Sequence, residues 1–302
     1  MSDTVYHIPA LLEEAIESLE IKPGGTYVDA TFGGGGHSRA IVEHLDGNGH
    51  LYGFDQDEDA VKKAFNDTRF TIVYSNFKYL SNFLKFYGVD GVDGILADLG
   101  VSFHHFDDPD RGFSFRWDTP LDMRMNRRAS LTAAHILAGY SEKQLAQIFA
   151  TYGELKNARK IAAEIVKTRE AEPIETASQL TDRIGKYFNP KSEKKEMAML
   201  FQALRIEVNH ELEALRIFLE QATKVLRPGG RLVIITYHSL EDRIVKNFMK
   251  SGNFTGETEK DFFGNITSPL KLLTSKPIVP TEEEVDRNPR SRSAKMRVAI
   301  KI

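Results

Sequence analysis

The sequence predicts an α/β protein: a mostly parallel sheet with crossover helices, into which an all-helical segment is inserted. Three observations carry this prediction. Short β-rich runs alternate with helical patterns between residues 26 and 101. From residue 107 to about residue 192 no β run occurs, while apolar residues recur at helical spacing. A buried-strand pattern then returns at residues 231–237, after a Pro-Gly-Gly turn.

Residues 26–32, 50–55, 70–74 and 92–98 are rich in aliphatic, β-branched and aromatic side chains, and they supply four strands. Residues 131–150 and 158–167 repeat apolar side chains at helical spacing and form the body of the insertion. Turn chemistry at Asp118-Thr119-Pro120 and at Phe188-Asn189-Pro190 marks its edges. Residues 196–226 read as one long amphipathic helix returning to the sheet, with Leu200, Leu204, Val208, Leu212 and Leu215 on one face. Leu226-Arg227-Pro228-Gly229-Gly230 ends that helix and feeds the last parallel strand. The result is a discontinuous sheet domain over residues 1–107 and 193–302 and a helical insertion over residues 108–192.

Composition narrows the class of function. With 27% charged and 41% hydrophobic residues in 302, the chain is neither disordered nor fibrous. Lys+Arg is 40 against Asp+Glu 43, which excludes a protein that grips polyanions with its whole surface but leaves room for local basic patches. The absence of cysteine excludes disulfide frameworks, thiolate zinc sites and thiol nucleophiles, and it points to a reducing, cytoplasmic setting. No apolar stretch approaches the ~18 to 20 residues that span a bilayer, so no membrane association is expected.

The sharpest local signal is Asp29-Ala30-Thr31-Phe32-Gly33-Gly34-Gly35-Gly36-His37-Ser38, a strand running through four glycines into a helix. Glycines let a backbone approach a ligand, and a helix start offers unpaired amide donors. Asp55 ends the next strand, 22 residues beyond Gly33, where doubly wound folds place an acid that accepts ribose hydroxyls. An adenosine-containing cofactor is expected. The dinucleotide fingerprint fails in both registers, meeting Ser38 or Arg39 where its third glycine belongs. Asp29 followed by Gly33 and Gly35 is instead similar to the acid-then-glycines turn with which methyltransferases hold S-adenosylmethionine, whose ammonium an aspartate can receive. A plain tight turn is the structural alternative.

Asp98-Leu99-Gly100-Val101-Ser102 ends the fourth strand, at the sheet edge where ligands of open α/β folds bind. Asp98 can serve chemistry there or cap the following helix. Phe77, just past the third strand, can stack on adenine or belong to the core. His104-His105 lacks any recognisable ligand framework nearby, so no metal is expected.

Taken in order, these motifs resemble the bacterial 16S ribosomal RNA (cytosine 1402-N4)-methyltransferase family. The matching stretches are Thr31 to Ser38, Asp98 to Ser102, Arg111-Gly112-Phe113-Ser114-Phe115, Pro120-Leu121-Asp122-Met123-Arg124-Met125, Phe201-Gln202-Ala203-Leu204-Arg205-Ile206, His238-Ser239-Leu240-Glu241-Asp242-Arg243 and Asn288-Pro289-Arg290-Ser291-Arg292-Ser293. They span essentially the whole chain. The resemblance implies a Rossmann-like S-adenosylmethionine-dependent methyltransferase sheet, an insertion used for RNA recognition, and methyl transfer to the exocyclic N4 of a decoding-region cytosine in 16S ribosomal RNA, within the small ribosomal subunit. It implies cofactor contacts at Gly35, Gly36, His37, Asp55, Phe77, Asp98 and His105. His105 stands where similar proteins usually carry glutamine, and Tyr237 where phenylalanine is commoner. Leu155, after Glu154, replaces a commoner glutamate.

The reaction needs hydrogen-bond acceptors that hold the amine's hydrogens, turn its lone pair toward the methyl carbon and take up a proton. The Asp/Asn/Ser-Pro-Pro-aromatic motif of many amino-methyltransferases is missing. Asp98, with Ser102 and His238, is expected to supply the acceptors, since both segments follow sheet strands at one edge. For His238 the alternative is to anchor Glu241-Asp242-Arg243. For RNA, Arg287, Arg290, Arg292, Lys295, Arg297 and Lys301 occur with no acid among them, either touching phosphates or facing water from an antiparallel edge strand. Arg124, Arg127 and Arg128 form a second basic cluster, and Phe113, Phe115 and Trp117 are stacking surfaces or core. Two rivals remain at this level: a nicotinamide oxidoreductase and a non-catalytic ribosome assembly factor.

Overall fold

The computed structural model describes residues 9–101, 106, 108–258, 262–263 and 267–302. The chain divides into two compact units, Met1–Gly100 with Leu212–Ile302, and Val101–Glu211.

The first unit is built on a seven-stranded sheet in the order β3-β2-β1-β4-β5-β7-β6. The strands are β1 Thr26–Asp29, β2 His50–Asp55, β3 Phe70–Tyr74, β4 Val92–Asp98, β5 Leu226–Thr236, β6 Leu270–Leu272 and β7 Lys295–Lys301. β1 to β5 pair in parallel, and β7 runs antiparallel between β5 and β6. The four expected N-terminal strands and the returning strand are all present. The centre of the sheet is buried, with Leu51, Phe54, Ile95, Leu96, Ala97 and Leu232 to Ile235 all inaccessible. That burial explains why β4 and β5 read as continuous apolar runs and not as alternating ones.

β7 departs from the expected edge strand, because β6 covers its outer side. Its Arg297 is buried in a two-point ion pair with Asp242, Nε to Oδ1 at 2.7 Å and Nη2 to Oδ2 at 3.1 Å. Arg297 therefore leaves the set of candidate phosphate contacts, while Arg287, Arg290, Arg292 and Lys295 remain exposed.

The strand order reverses at β1, whose neighbours are β2 on one side and β4 on the other. Connections leaving β1 and β4 therefore diverge, opening a crevice beyond their carboxyl ends.

The second unit is helical. Residues 133–209 supply Ala133–Gly139, Glu142–Thr151, Ala158–Thr168, Ala177–Ile184 and Glu193–Asn209. Ile136, Leu145, Phe149, Ile161, Ile165, Leu180, Leu200 and Leu204 meet in one core. Thr132, Ser141 and Thr176 each begin a helix with a capping box, which satisfies amides that the helix itself leaves unpaired. The insertion expected at residues 108–192 lies within this unit, which also takes in the helix Glu193–Asn209.

The single helix expected over residues 196–226 is two. His210 adopts φ 50 and ends the first, and Glu211–Val225 follows. Leu200, Leu204 and Val208 join the helical core, whereas Leu212 and Leu215 belong to the sheet unit. In the basic cluster of the insertion, Arg124 forms a two-point pair with Asp122 and donates to the carbonyls of Arg127 and Ala129. Phe113 is core, Phe115 packs edge-on against Phe201, and Trp117 is exposed.

Candidate active site

Three carboxylates mark the crevice, one at the end of each of β1, β2 and β4. Asp29 is wholly buried and turns both oxygens inward. Oδ1 accepts from the Thr31 amide at 3.1 Å and Oδ2 from the Ser38 hydroxyl at 2.6 Å. Burial pushes its carboxyl up to about 6. Asp29 thus braces the glycine turn from behind.

The turn itself is shaped by backbone demands. Gly35 sits at φ 77, and a Cβ there would lie 2.8 Å from the Phe32 ring. A Cβ on Gly36 would lie 2.3 Å from Cγ of Pro9. Both positions exclude side chains, and the turn is closed by the Gly35 amide donating to the Phe32 carbonyl at 2.7 Å. The helix Gly36–Glu43 begins at the last glycine of the turn and buries His37 in its first turn. Burial pushes His37 down to about 4, so the ring is neutral at physiological pH, and its Nε2 has no hydrogen-bond partner among the described residues.

Asp55 closes the turn from the other side. Oδ2 accepts from the Gly33 amide and Oδ1 from the Asp57 amide, both at 2.8 Å. Each oxygen keeps lone-pair capacity, and the side chain is half-buried, so it can still accept from a diol. Its carboxyl is raised to about 6, with burial as the largest cause. Phe77 starts a short 3₁₀ turn beyond β3, where Asn76 donates to Gln56 at 2.8 Å and so joins the loops after β2 and β3. Its ring is half-buried and meets Phe218 edge-on at 5.1 Å.

Asp98 is the one acid of the three with only one carboxylate oxygen hydrogen-bonded among the described residues. Its amide donates to Oγ1 of Thr31 at 2.7 Å, and its Oδ1 accepts from the Tyr237 hydroxyl at 2.8 Å. Oδ2 lies 3.8 Å from Nδ1 of His37, beyond hydrogen-bond reach. Burial, with smaller repulsion from Asp29 and Glu241, raises the carboxyl to about 7 in spite of the Tyr237 bond. The acid is therefore poised near neutrality, as a proton acceptor should be. Asp98 does not cap a described helix.

His238 has the anchoring geometry. It is the N-cap of the helix Ser239–Ser251, with Nδ1 3.5 Å from the Glu241 amide and Nε2 3.1 Å from Oε1 of Glu241. No contact joins it to Asp98 among the described residues. Ser102 and His105 lie outside the described residues.

Thr31, Ser38 and Tyr237 are functional residues that the motifs do not single out: Thr31 holds both Asp29 and Asp98, Ser38 holds Asp29 and Tyr237 holds Asp98. The hydroxyls at 31 and 38 flank the glycines and were a readable signal. The hydroxyl is what Tyr237 adds where phenylalanine is commoner.

An unpartnered, buried imidazole nitrogen, a side-chain-free turn, and acids with open lone pairs at the ends of β2 and β4 fit the S-adenosylmethionine that the motifs imply. Fold and site together define a doubly wound α/β protein with a nucleoside-type crevice at its topological switch point.

The chain belongs to the MraW methylase family, whose profile matches residues 4–302. It is 61% identical over 297 residues to the ribosomal RNA small subunit methyltransferase H of Phocaeicola vulgatus, covering 98% of both chains. Relatives of the same name in Bacteroides fragilis and Porphyromonas gingivalis are 59% and 55% identical, each covering 99% of this chain and 98% of the relative. Membership of a methylase family removes the oxidoreductase reading. Among the described residues no helix is long and apolar enough to cross a membrane.

Proposed function

We propose that this protein methylates the exocyclic N4 of cytosine 1402 in 16S ribosomal RNA, using S-adenosylmethionine, and that it meets its substrate in the small ribosomal subunit of the cytoplasm. Full-length likeness to the methyltransferase H relatives supports the substrate. For the chemistry, the observation that carries the reading is Asp98, with one oxygen held and the other open at the end of β4.

When bound, the cofactor supplies a methyl carbon already activated by its sulfonium. The close backbone turn at Gly35 and Gly36 and the free Nε2 of His37 would hold its amino-acid part, Asp55 would accept from its ribose, and Phe77 would pack on its adenine. His105 completes this set. The nucleobase amine is a weak nucleophile, because its lone pair is delocalised into the ring. Oδ2 of Asp98, with Ser102, accepts the amine's hydrogens and turns that lone pair toward the methyl carbon. In the balanced transfer the N–C bond would replace the donor's S–C bond, the donor would leave as the neutral thioether S-adenosylhomocysteine, and Asp98 would take the one proton the amine gives up, so that the methylated amine ends neutral. His238 acts at one remove, by anchoring Glu241 beside Tyr237.

Nucleoside mass spectrometry of 16S ribosomal RNA, with and without the gene, tests the assignment. N4-methylcytidine at this position should vanish on deletion, and an unchanged profile would refute it. Labelled methyl transfer to small subunits by the purified protein separates catalysis from a pure assembly role. Asp98→Asn should lower the single-turnover rate by about a hundredfold or more.

A further inference from the structure

We propose that Tyr237 is a positioning residue for methyl transfer: its hydroxyl pins Oδ1 of Asp98, so that Oδ2 alone is presented to the nucleobase amine. The proposal deepens the reading of Asp98 given above and rests on it.

The geometry fixes the tyrosine at three points. It follows β5 directly, and β5 pairs with β4 through Ile235 opposite Asp98. Its amide donates to Oε2 of the buried Glu241 at 3.1 Å. Its ring covers Gly100, where a Cβ would come within 3.1 Å of the tyrosine's Cδ2 and where φ is 105. From that seat the hydroxyl reaches Oδ1 of Asp98 at 2.8 Å. The amide of Asp98 is held independently by Thr31. A carboxylate restrained at its backbone and at one oxygen has little rotational freedom left, and its second oxygen points where the first does not.

The groups facing Asp98 and its tyrosine partner come from five elements. Asp29 at the end of β1 and Glu241 on the helix Ser239–Ser251 both repel its negative charge. His37 on the helix Gly36–Glu43 is held neutral by burial and adds no positive charge. Tyr237, at the end of β5, donates to its side chain. Glu284, on the helix Glu282–Arg287, adds its charge on the tyrosine's side and helps keep that hydroxyl protonated. Removing the tyrosine's hydrogen bond therefore favours the protonated carboxyl, which cannot accept the amine's proton.

Tyr237→Phe keeps the ring over Gly100 and deletes only the donor. Two measurements test it against Asp98→Asn. The first is the titration of the Asp98 carboxyl in the cofactor-free protein, followed by ¹³C NMR of labelled aspartate, with Asp98→Asn assigning the signal. The second is the pH profile of the single-turnover rate. In Tyr237→Phe the carboxyl midpoint should rise by about one pH unit, making transfer roughly tenfold slower at pH 6, with the deficit shrinking as pH rises. An unmoved midpoint and acid limb, with Asp98→Asn inactive, would overturn the role of Tyr237 alone. Full activity in Asp98→Asn would overturn the reading beneath it.

Discussion

Asp55 accepts from one backbone amide of its own loop and one of the glycine turn after β1, and it still has lone pairs to offer. Asp55→Ala should weaken S-adenosylmethionine binding about tenfold to a hundredfold, measured by calorimetric titration. The crevice acids also make stability depend on pH. Asp98 is raised to about 7 in the folded state, against an ordinary carboxyl near 4. Between those values the folded chain holds a proton that the unfolded chain has lost, so this group's contribution falls as pH rises from about 4 to about 7 and is constant above. Asp29 and Asp55 act in the same direction, while His37, lowered to about 4, acts oppositely over about pH 4 to 6.5. Asp98→Asn removes one of these dependences. Its stability relative to wild type should rise between pH 5 and pH 8 in urea unfolding, even as methyl transfer is lost. At this scale the sequence announced Asp55 and Asp98 through their positions after strands. It said nothing of the directions in which their oxygens turn, because those depend on partners such as Ser38 and Tyr237 that sit elsewhere in the chain.

The strands of the sheet unit were the most legible elements, since burial on both faces writes itself as uninterrupted apolar runs such as Leu232 to Ile235. The helix break at His210 was not legible. Its left-handed backbone is carried by a histidine in place of the glycine that usually punctuates a helix end, and the apolar stripe continues across it. His238 is a second element-scale feature, read from sequence as catalytic or anchoring. As the N-cap of Ser239–Ser251 it should be replaceable by asparagine with little loss of stability, whereas His238→Ala should cost about 1 kcal/mol in chemical unfolding. Methyl transfer that survives in His238→Asn supports anchoring. Arg297 belongs to the same scale, because it ties β7 to that helix through Asp242. Arg297→Ala strands a half-buried carboxylate and should destabilise the protein by about 3 to 5 kcal/mol. An arginine that bound only RNA would leave folding untouched.

For the whole molecule, the presence of a helical insertion could be read from the missing β runs, but its extent is set by which core each helix joins. Glu193–Asn209 carries an apolar face that would suit either core, and only the folded structure assigns it to the helical unit. The insertion falls between β4 and β5, which are neighbours in the sheet. The central pairing of the fold thus joins segments that leave the ribosome far apart in time. β1 to β4 can pair as soon as they emerge, but the seam against β5 must wait until every helix of the insertion has been synthesised. Tyr237 arrives with that seam. A nascent or truncated chain ending before it can own the glycine turn, Asp55 and Asp98 and still lack the hydroxyl that restrains the acid. Docking of β5 against β4 thereby delivers the last restraint on Asp98 long after the acid itself has been made.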